Sequence, residues 1–209
     1  MIKITFDISY IKEMSNMNFE EVRGEEQIKV QSGCTTLKSK CIVLDLDLTM
    51  VHTILECQCK NHVEIEFRAA GSVTADETIP PRICKSYVHV RPFAFEFIRQ
   101  CYERDCTFVI FSANGDWYIN QVVNILFKDF AQPCHILTER DLVLDLKTLF
   151  YVKTLSSVSQ KTEIPIDKLI AIDDNIYMYP YDSNVIRIPP WACNILLEDD
   201  SELIKLLEK

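Results

Sequence analysis

Apolar and polar residues alternate without a break over residues 2–10 of the 209-residue chain. The apolar positions are Ile2, Ile4, Phe6, Ile8 and Tyr10. A period of two is typical of a strand that buries one face. Residues 12–39 are polar, lack periodicity and hold two of the four glycines. We therefore predict an N-terminal strand and connecting arm over residues 1–39, followed by a folded domain over residues 40–209.

From residue 40 onward, short apolar runs with strand character alternate with segments of helical spacing. The runs predicted as strands are 41–44, 106–111, 134–137, 149–152, 169–172 and 185–188. Strands that alternate with helices predict an α/β domain whose parallel sheet is covered on both faces. Residues 54–89 contain shorter alternating pieces and the turn signals Ala70-Gly71 and Pro80-Pro81, which indicate a β-hairpin insertion.

Three segments show the apolar spacing of amphipathic helices. One follows Pro92, which suits the first turn of a helix, and its predicted inward residues are Phe93, Phe97, Ile98 and Cys101. A second runs to about Lys128 from Asp116, a residue type that favours the N-cap position. Its predicted inward residues are Val122, Val123, Leu126 and Phe127. The third is a C-terminal helix over roughly 199–208.

Polar side chains follow the predicted strands at the point where each strand ends. They are Asp45 and Asp47 after 41–44, Ser112 after 106–111, Lys153 after 149–152, and Asp173 with Asp174 after 169–172. Because parallel strands end at the same edge of a sheet, we expect these side chains to converge. Crowded carboxylates repel one another unless a hard cation lies among them, and oxygen ligands favour Mg²⁺. Together with a lysine, this set meets the needs of phosphoryl transfer.

Each of these residues also has a purely structural interpretation. Aspartates after a strand are common in turns, and a lysine at a strand end is expected to be exposed and to contribute little packing. The occurrence of all of them at strand ends favours the functional interpretation. His52 is better explained as a structural hydrogen-bonding residue, since the aspartates can carry out proton transfer.

The cysteine count and the charge restrict the class of protein. Nine cysteines, several of them in apolar runs, are typical of free thiols in a reducing intracellular compartment, cytoplasmic or nuclear. Cys57, Cys59, His62 and Cys84 lack the paired spacing of zinc ligands. We expect no signal peptide and no membrane span, and a formal net charge of −9 disfavours direct nucleic-acid binding. Nothing in the pattern indicates an oligomeric state.

The stretch Asp45-Leu-Asp-Leu-Thr49 resembles the DxDxT signature of the haloacid-dehalogenase superfamily of aspartate-nucleophile phosphatases. A longer series of motifs resembles the small FCP/SCP-like phosphatases that act on the C-terminal domain of RNA polymerase II. In chain order it comprises DLDLTMVH from Asp45, Val90-Arg91-Pro92, Phe111-Ser112-Ala113, Tyr151-Val-Lys153, Ile172-Asp-Asp174, and Trp191 with Asn194 ahead of Asp200-Ser-Glu-Leu203. The resemblance covers about residues 40–208. It implies a Rossmann-like parallel-sheet fold with a small β-hairpin insertion and no large cap domain.

The resemblance also implies catalytic roles. Asp45 would be the nucleophile that forms an aspartyl-phosphate, and Asp47 would protonate the leaving oxygen and later activate water. Lys153 would balance the phosphoryl charge. Leu48 replaces the glutamate that is usual in the family's first motif; because that position is not a metal ligand, we expect altered loop packing rather than lost chemistry.

Four further residues match motif positions that surround the phosphate. Ser112, with Ala113 beside it, would bind phosphate oxygens. Thr49 would brace the loop of the first motif by hydrogen bonds. Arg91 would either orient the substrate or brace the site.

The resemblance implies Mg²⁺ as the cofactor. The ion would be held by Asp45, the backbone carbonyl of Asp47, and Asp174, with Asp173 in support. Because Asp173 and Asp174 are adjacent, the reverse assignment of these two residues stays open.

The leading interpretation is a Mg²⁺-dependent phosphatase of phosphoserine or phosphothreonine, with the C-terminal domain of RNA polymerase II as a candidate substrate. Without a cap, the site stays open to a phosphorylated protein or peptide, whereas small-molecule members close a lid. One alternative is a non-catalytic binding module similar to the family's mitochondrial import receptor, against which the retained aspartates argue. Another is a phosphatase of nucleotide or nucleic-acid ends, which the acidic charge disfavours. Residues Asn175–Tyr181 depart from the family pattern and leave the substrate open.

Overall fold

The structure, a computed structural model, describes residues 37–55, 62–68, 83–193 and 200–208, with backbone alone at 67–68 and 83–84. These residues belong to one compact unit, Thr35–Lys209. The predicted strand over 2–10, most of the predicted arm, and Cys57 and Cys59 lie outside the described residues. The domain boundary at residue 40 therefore stays a prediction.

Five of the described strands form a parallel sheet. They are β1 (Cys41–Leu44), β5 (Thr107–Phe111), β6 (His135–Leu137), β9 (Leu169–Asp173) and β10 (Val185–Arg187). Their order across the sheet is β10-β9-β1-β5-β6, so β1 lies in the middle. Every residue of β1 is buried, as expected for a parallel strand covered on both faces. The predicted parallel sheet is confirmed, and its central strand is the one that precedes Asp45 and Asp47.

The other described strands form two small antiparallel sheets. They are β2 (Val51–Ile54), β3 (Val63–Arg68), β4 (Ile83–Val90), β7 (Val143–Leu144) and β8 (Tyr151–Val152). The predicted insertion is present as β3 paired with β4, and β2 adds a third strand on the other side of β4. The run predicted as a strand at 149–152 is β8, which pairs with β7 outside the central sheet. An apolar run specifies a strand but not its pairing partner.

The described α-helices cover the sheet and flank the insertion. They are α1 (Ala94–Glu103), α2 (Asp116–Leu126), α3 (Leu155–Thr162) and α4 (Glu202–Lys205), the last continuing as a 3-10 helix, Leu206–Glu208. Three of the four lie where helical spacing is seen in the sequence. Among the described residues, no helix is long and apolar enough to cross a membrane.

Two helix starts and one whole helix differ from the sequence-based expectation. Phe93, expected to point inward, is 48% exposed and has φ of 62°, because it precedes α1 rather than belonging to it. Asp116 is not the N-cap of α2; that position is Gly115, and Asp116 lies in the first turn. Helix α3 was not predicted, although Thr154 caps it by accepting from the Ser157 backbone N–H at 3.0 Å.

Apolar side chains of the central sheet form two clusters, one on each face. Ile42 and Leu44 of β1 belong to one cluster, and Cys41 and Val43 to the other, because successive strand residues point to opposite faces. Helices α1, α2 and α4 supply the first cluster and α3 supplies the second. This packing holds the carboxyl ends of β1, β5 and β9 in a fixed relation to one another.

Candidate active site

The structure brings the predicted strand-end residues together at the carboxyl edge of the central sheet. Asp45 follows β1, Ser112 follows β5, and Asp173 is the last residue of β9. Because β1 lies between β5 and β9, these positions are neighbours. The Asp45 backbone N–H donates to the Ile172 carbonyl at 3.1 Å, and the Ser112 N–H donates to the Leu137 carbonyl at 3.2 Å. The hydrogen-bond ladder of the sheet therefore extends into the site.

Lys153 lies at the centre of this edge and joins two of its carboxylates. Its Nζ donates to Asp45 Oδ1 at 2.6 Å and to Asp173 Oδ2 at 2.7 Å. The side chain is 2% exposed, so the expectation of an exposed lysine with little packing is wrong. Its ammonium also lies 5.6 Å from the centre of the Phe111 ring and 5.8 Å from that of Tyr179, within range of cation–π attraction.

The charge of Lys153 is secured by its partners. Burial alone would lower the pKa of the ammonium, but the carboxylates of Asp45 and Asp173 outweigh that effect and raise the pKa above its ordinary value. Lys153 therefore stays protonated. A positive charge therefore lies next to Asp45 at the edge where β1 and β9 end.

Asp45, Asp173 and Asp174 form a cluster whose carboxylate oxygens lie within 4.8 Å of one another. Burial, with the charge of Asp45 adding to it, raises the pKa of Asp173 to about 7 and that of Asp174 to about 6. Both shifts have the direction expected where buried carboxylates repel one another and Lys153 offsets only part of the effect. The cluster offers hard oxygen ligands in a partly desolvated setting, which fits a Mg²⁺ ion.

Asp173 and Asp174 differ in their surroundings. The Asp173 carboxylate accepts from Lys153 through Oδ2 and from the Asn175 backbone N–H through Oδ1 at 2.8 Å. Asp174 Oδ1 accepts from the Thr49 hydroxyl at 3.2 Å, and the Asp174 N–H donates to the same hydroxyl oxygen at 3.0 Å. Asp173 is thus ion-paired with Lys153, whereas the Asp174 carboxylate accepts a hydrogen bond from the neutral Thr49 hydroxyl.

Asp47 is held by two side chains of the segment that follows β5. Asn114 Nδ2 donates to Asp47 Oδ2 at 2.7 Å, and the Tyr118 hydroxyl donates to Asp47 Oδ1. Burial raises the pKa of Asp47 to about 7; the charge of Asp45 adds to this, and the two hydrogen bonds offset only part of it. A carboxyl that titrates near neutral pH can both give and take a proton under ordinary conditions.

Asn114 and Tyr118 were not identified from the sequence. Asn114 could have been found, because it lies two residues after Ser112 in a loop at a strand end. Tyr118 lies in the first turn of α2, where helical spacing distinguishes inward from outward residues but says nothing about contacts with a distant loop. Only the tertiary structure places its hydroxyl against Asp47.

Ser112 is buried, and its hydroxyl oxygen accepts from the Asn114 backbone N–H at 3.3 Å. Its neighbour Ala113 is exposed at the start of the loop. Ser112 therefore stands between the end of β5 and the Asn114 side chain that holds Asp47. The Ser112 hydroxyl oxygen also lies 3.5 Å from Asn114 Nδ2, the same nitrogen that donates to Asp47.

Arg91 and Thr49 are buried residues that contact each other next to the loop that carries Asp47. The buried Arg91 guanidinium donates to Asp200 Oδ2 at 2.7 Å and to the Thr49 backbone carbonyl at 3.1 Å. Thr49 is itself fully buried and contacts Asp174. Of the two roles predicted for Arg91, these contacts agree with bracing. They tie the first-motif loop to the end of β9 and to the C-terminal segment.

Leu48 and His52 belong to the same loop region. Leu48 has φ of 60°, and its carbonyl accepts from the Trp191 N–H at 2.7 Å. His52 Nδ1 accepts from the Cys193 backbone N–H at 3.1 Å, and burial lowers the pKa of its ring, with nearby His89 adding to the effect. Both residues therefore connect this loop to residues 191–193, and neither is among the residues that hold the clustered carboxylates.

In the metal-free protein, the free energy of unfolding is expected to fall as the pH rises from about 5 to about 7.5. The pKa values of Asp47, Asp173 and Asp174 are raised, so over this interval the native state holds more protons than the unfolded state. We expect a loss on the order of 2 kcal/mol, part of which Mg²⁺ should recover at the higher pH. Urea unfolding at both pH values, with and without Mg²⁺, measures this. A metal-free protein equally stable at both would contradict the crowding of these carboxylates.

Comparison with known proteins gives one family match and a fold shared with solved structures. A family model described as NLI interacting factor-like phosphatase matches residues 40–209. The structure of Fcp1, an essential RNA polymerase II CTD phosphatase, has a TM-score of 0.60 and 16% identity, covering 82% of this chain and 50% of that one. A fission yeast RNA polymerase II CTD phosphatase Fcp1 variant bound to beryllium fluoride has a TM-score of 0.56 and 16% identity, with coverage of 82% and 51%.

This chain thus corresponds to about half the length of each of these two proteins. At 16% identity the likeness shows the fold alone. Comparison with curated proteins gave no match.

Proposed function

This chain belongs to the family of NLI interacting factor-like phosphatases, and we propose that it is a Mg²⁺-dependent phosphatase of phosphoserine and phosphothreonine in proteins. The observation that carries the proposal is that the two aspartates have different partners. Asp45 pairs with Lys153 at 2.6 Å, whereas Asp47 accepts a hydrogen bond from Asn114. Asp45 is ion-paired with a buried lysine, whereas burial raises the pKa of Asp47 to about 7. A nucleophile and a proton donor need these two different environments.

In the first step, an oxygen of Asp45 attacks the phosphorus atom of the substrate. The bond between phosphorus and the seryl or threonyl oxygen breaks, and Asp47 gives its proton to that oxygen. The products of this step are an aspartyl-phosphate on Asp45 and the free hydroxyl of the substrate. Lys153 contacts Asp45, and Ser112 follows β5, the strand next to the one that precedes Asp45. From these positions an ammonium and a hydroxyl can stabilise negative charge on the phosphoryl oxygens.

In the second step, Asp47 has become a carboxylate and takes a proton from a water molecule. The oxygen of that water attacks the phosphorus, the bond from phosphorus to Asp45 breaks, and inorganic phosphate leaves. Asp47 ends the cycle protonated, as it began. A pKa of about 7 suits a group that must act as acid in one step and as base in the next.

Three ligands are proposed for Mg²⁺: Asp45, the backbone carbonyl of Asp47, and Asp174. Asp174 is preferred over Asp173 because both oxygens of Asp173 already accept hydrogen bonds, one of them from Lys153. Asp173 would then orient Lys153 rather than contact the ion. When bound, Mg²⁺ would supply positive charge that neutralises the carboxylate cluster and the phosphate oxygens.

The proposal of a protein substrate rests on the described residues around the site. In the described part of the chain, the insertion between β1 and α1 is a small antiparallel sheet. Ala113 and Asn114, in the loop that follows Ser112, are exposed. An extended phosphopeptide can reach such a site, whereas small phosphate esters are usually enclosed by a lid. The two solved structures of similar fold are described as RNA polymerase II CTD phosphatases. The C-terminal domain of RNA polymerase II is therefore a candidate substrate.

Hydrolysis of p-nitrophenyl phosphate and of phosphoserine peptides is expected to fall to a small fraction when EDTA is added and to return with excess Mg²⁺. The reason is that the clustered carboxylates and the phosphate together carry more negative charge than Lys153 can neutralise. Phosphate release is measured on the same preparation before chelation, after chelation and after Mg²⁺ is restored. Nucleotide monophosphates serve as comparison substrates. Activity that EDTA leaves undiminished would remove the metal assignment.

A further inference from the structure

The two oxygens of the Asp47 carboxyl face different parts of the site. Oδ2 accepts from Asn114 Nδ2 at 2.7 Å, and this amide nitrogen is also 3.5 Å from Ser112 Oγ. Oδ1 accepts from the hydroxyl of Tyr118, in the first turn of α2. Oδ2 therefore lies on the side of Ser112, and Oδ1 lies on the side of the helix.

The neighbouring Thr53 determines how protons are arranged along this contact. Thr53 Oγ1, on β2, lies 2.7 Å from the Tyr118 oxygen. A tyrosine hydroxyl has a single proton, and an ionised Asp47 can only accept. Tyr118 therefore donates to Asp47, and Thr53 donates to Tyr118. A directed chain of hydrogen bonds runs from the insertion sheet through α2 to Asp47.

We propose that Tyr118 is a positioning residue that keeps Asp47 Oδ1 as an acceptor and leaves Oδ2 as the oxygen that exchanges a proton with the leaving group. This inference rests on the proposed function, in which Asp47 protonates the seryl oxygen as its bond to phosphorus breaks. The Tyr118 proton points at Oδ1 because Thr53 donates to the Tyr118 oxygen, so we place the proton of Asp47 on Oδ2, on the Ser112 side. A protonated Oδ2 can still accept from Asn114 Nδ2 through its remaining lone pair. Tyr118 and Asn114 together oppose rotation of the carboxyl.

The ring and the hydroxyl of Tyr118 have separable contributions. The ring packs against the apolar cluster that contains Ile119 and Val122 of α2, while the hydroxyl contacts Asp47 and Thr53. Tyr118→Phe keeps the packing and removes only the hydrogen bonds. Without this hydrogen bond, the carboxyl of Asp47 can rotate and carry its proton on either oxygen. A smaller fraction of the enzyme–substrate complexes then has the proton on Oδ2, from which it is transferred to the leaving group.

The test compares Tyr118→Phe with wild type on esters whose leaving groups differ in basicity. A seryl alkoxide needs a proton to leave, phenolate needs one less, and p-nitrophenolate least. We expect kcat for a phosphoserine peptide to fall about tenfold or more with KM little changed, and kcat for p-nitrophenyl phosphate to fall less than about twofold. Phenyl phosphate should lie between them. Tyr102→Phe is the matched control, since the Tyr102 hydroxyl bonds only the Ala131 carbonyl, at 2.6 Å, among the described contacts.

The outcomes separate this inference from the proposed function. An equal loss with all three esters, or an unchanged kcat for the peptide, would overturn the positioning role. Because Asp47→Asn completes only the first step, that background is followed by the rate of phenol release from phenyl phosphate in a single turnover. Tyr118→Phe should add no further loss to this rate, because it acts through Asp47; a further tenfold loss there would also overturn it. If wild type hydrolyses none of the esters, the proposed function fails and the inference fails with it.

Discussion

Asp45→Asn is expected to abolish phosphate release from every substrate, whereas Asp47→Asn should stop turnover after the first step. An asparagine at position 45 cannot form the covalent bond to phosphorus. An asparagine at position 47 leaves Asp45 able to attack but supplies neither a proton donor nor a base for water. With p-nitrophenyl phosphate, whose leaving group needs little protonation, Asp47→Asn should accumulate an aspartyl-phosphate.

Intact-mass measurement after rapid acid quench detects this adduct directly. The adduct is expected on the Asp47→Asn protein and not on the Asp45→Asn protein, at equal protein and substrate concentrations. Both substitutions replace a carboxyl with an amide of the same shape in the same loop, so each is a control for the other. An adduct on Asp45→Asn, or equal residual turnover in both variants, would mean that the two roles are wrongly assigned.

Lys153→Met is expected to impair both catalysis and folding. We expect kcat to fall about a hundredfold or more, because the charge that stabilises the phosphoryl oxygens is lost. We also expect the free energy of unfolding to fall by about 3–5 kcal/mol, because the carboxylates of Asp45 and Asp173 stay buried without their shared cation. The loss of stability should be smaller at about pH 5 than at about pH 7.5, since Asp173 can take up a proton.

Lys161→Met provides the matched control. Lys161 also pairs with a carboxylate, that of Asp141, but its side chain is 47% exposed. Exposed ion pairs contribute roughly 0–1 kcal/mol, so this variant should unfold almost as wild type does and should keep its activity. Kinetics and urea unfolding of both variants give the comparison. Equal stability of the two variants would contradict the buried, bridging position of Lys153.

The strand pattern and the strand-end residues were both evident from the sequence. Apolar runs such as 41–44 and 169–172 form buried strands of a parallel sheet, and Asp45, Asp173 and Ser112 meet at its carboxyl edge. This succeeds because burial on both faces leaves a continuous apolar run, and parallel strands end at a common edge. The roles of these residues stay predictions until the variants are measured.

Local patterns were less informative at helix boundaries and in short elements. Phe93 fits the spacing of α1 but lies outside it, because the backbone turns into the left-handed region just before the helix. Helix α3 has only eight residues and few apolar ones, so its periodicity is weak. Such short elements are stabilised by tertiary packing against the sheet more than by their own sequence.

The sequence by itself determined which residue types end at the carboxyl edge of the sheet, because the spacing of strands and the chemistry of Asp, Ser and Lys are local properties. Only the tertiary structure decided their environments. It buries Lys153 between Asp45 and Asp173, 108 and 20 residues away, and it places Tyr118, 71 residues from Asp47, against the carboxyl of that residue. Burial and partner distance set the charge state of each group, and both depend on chain segments far apart in sequence.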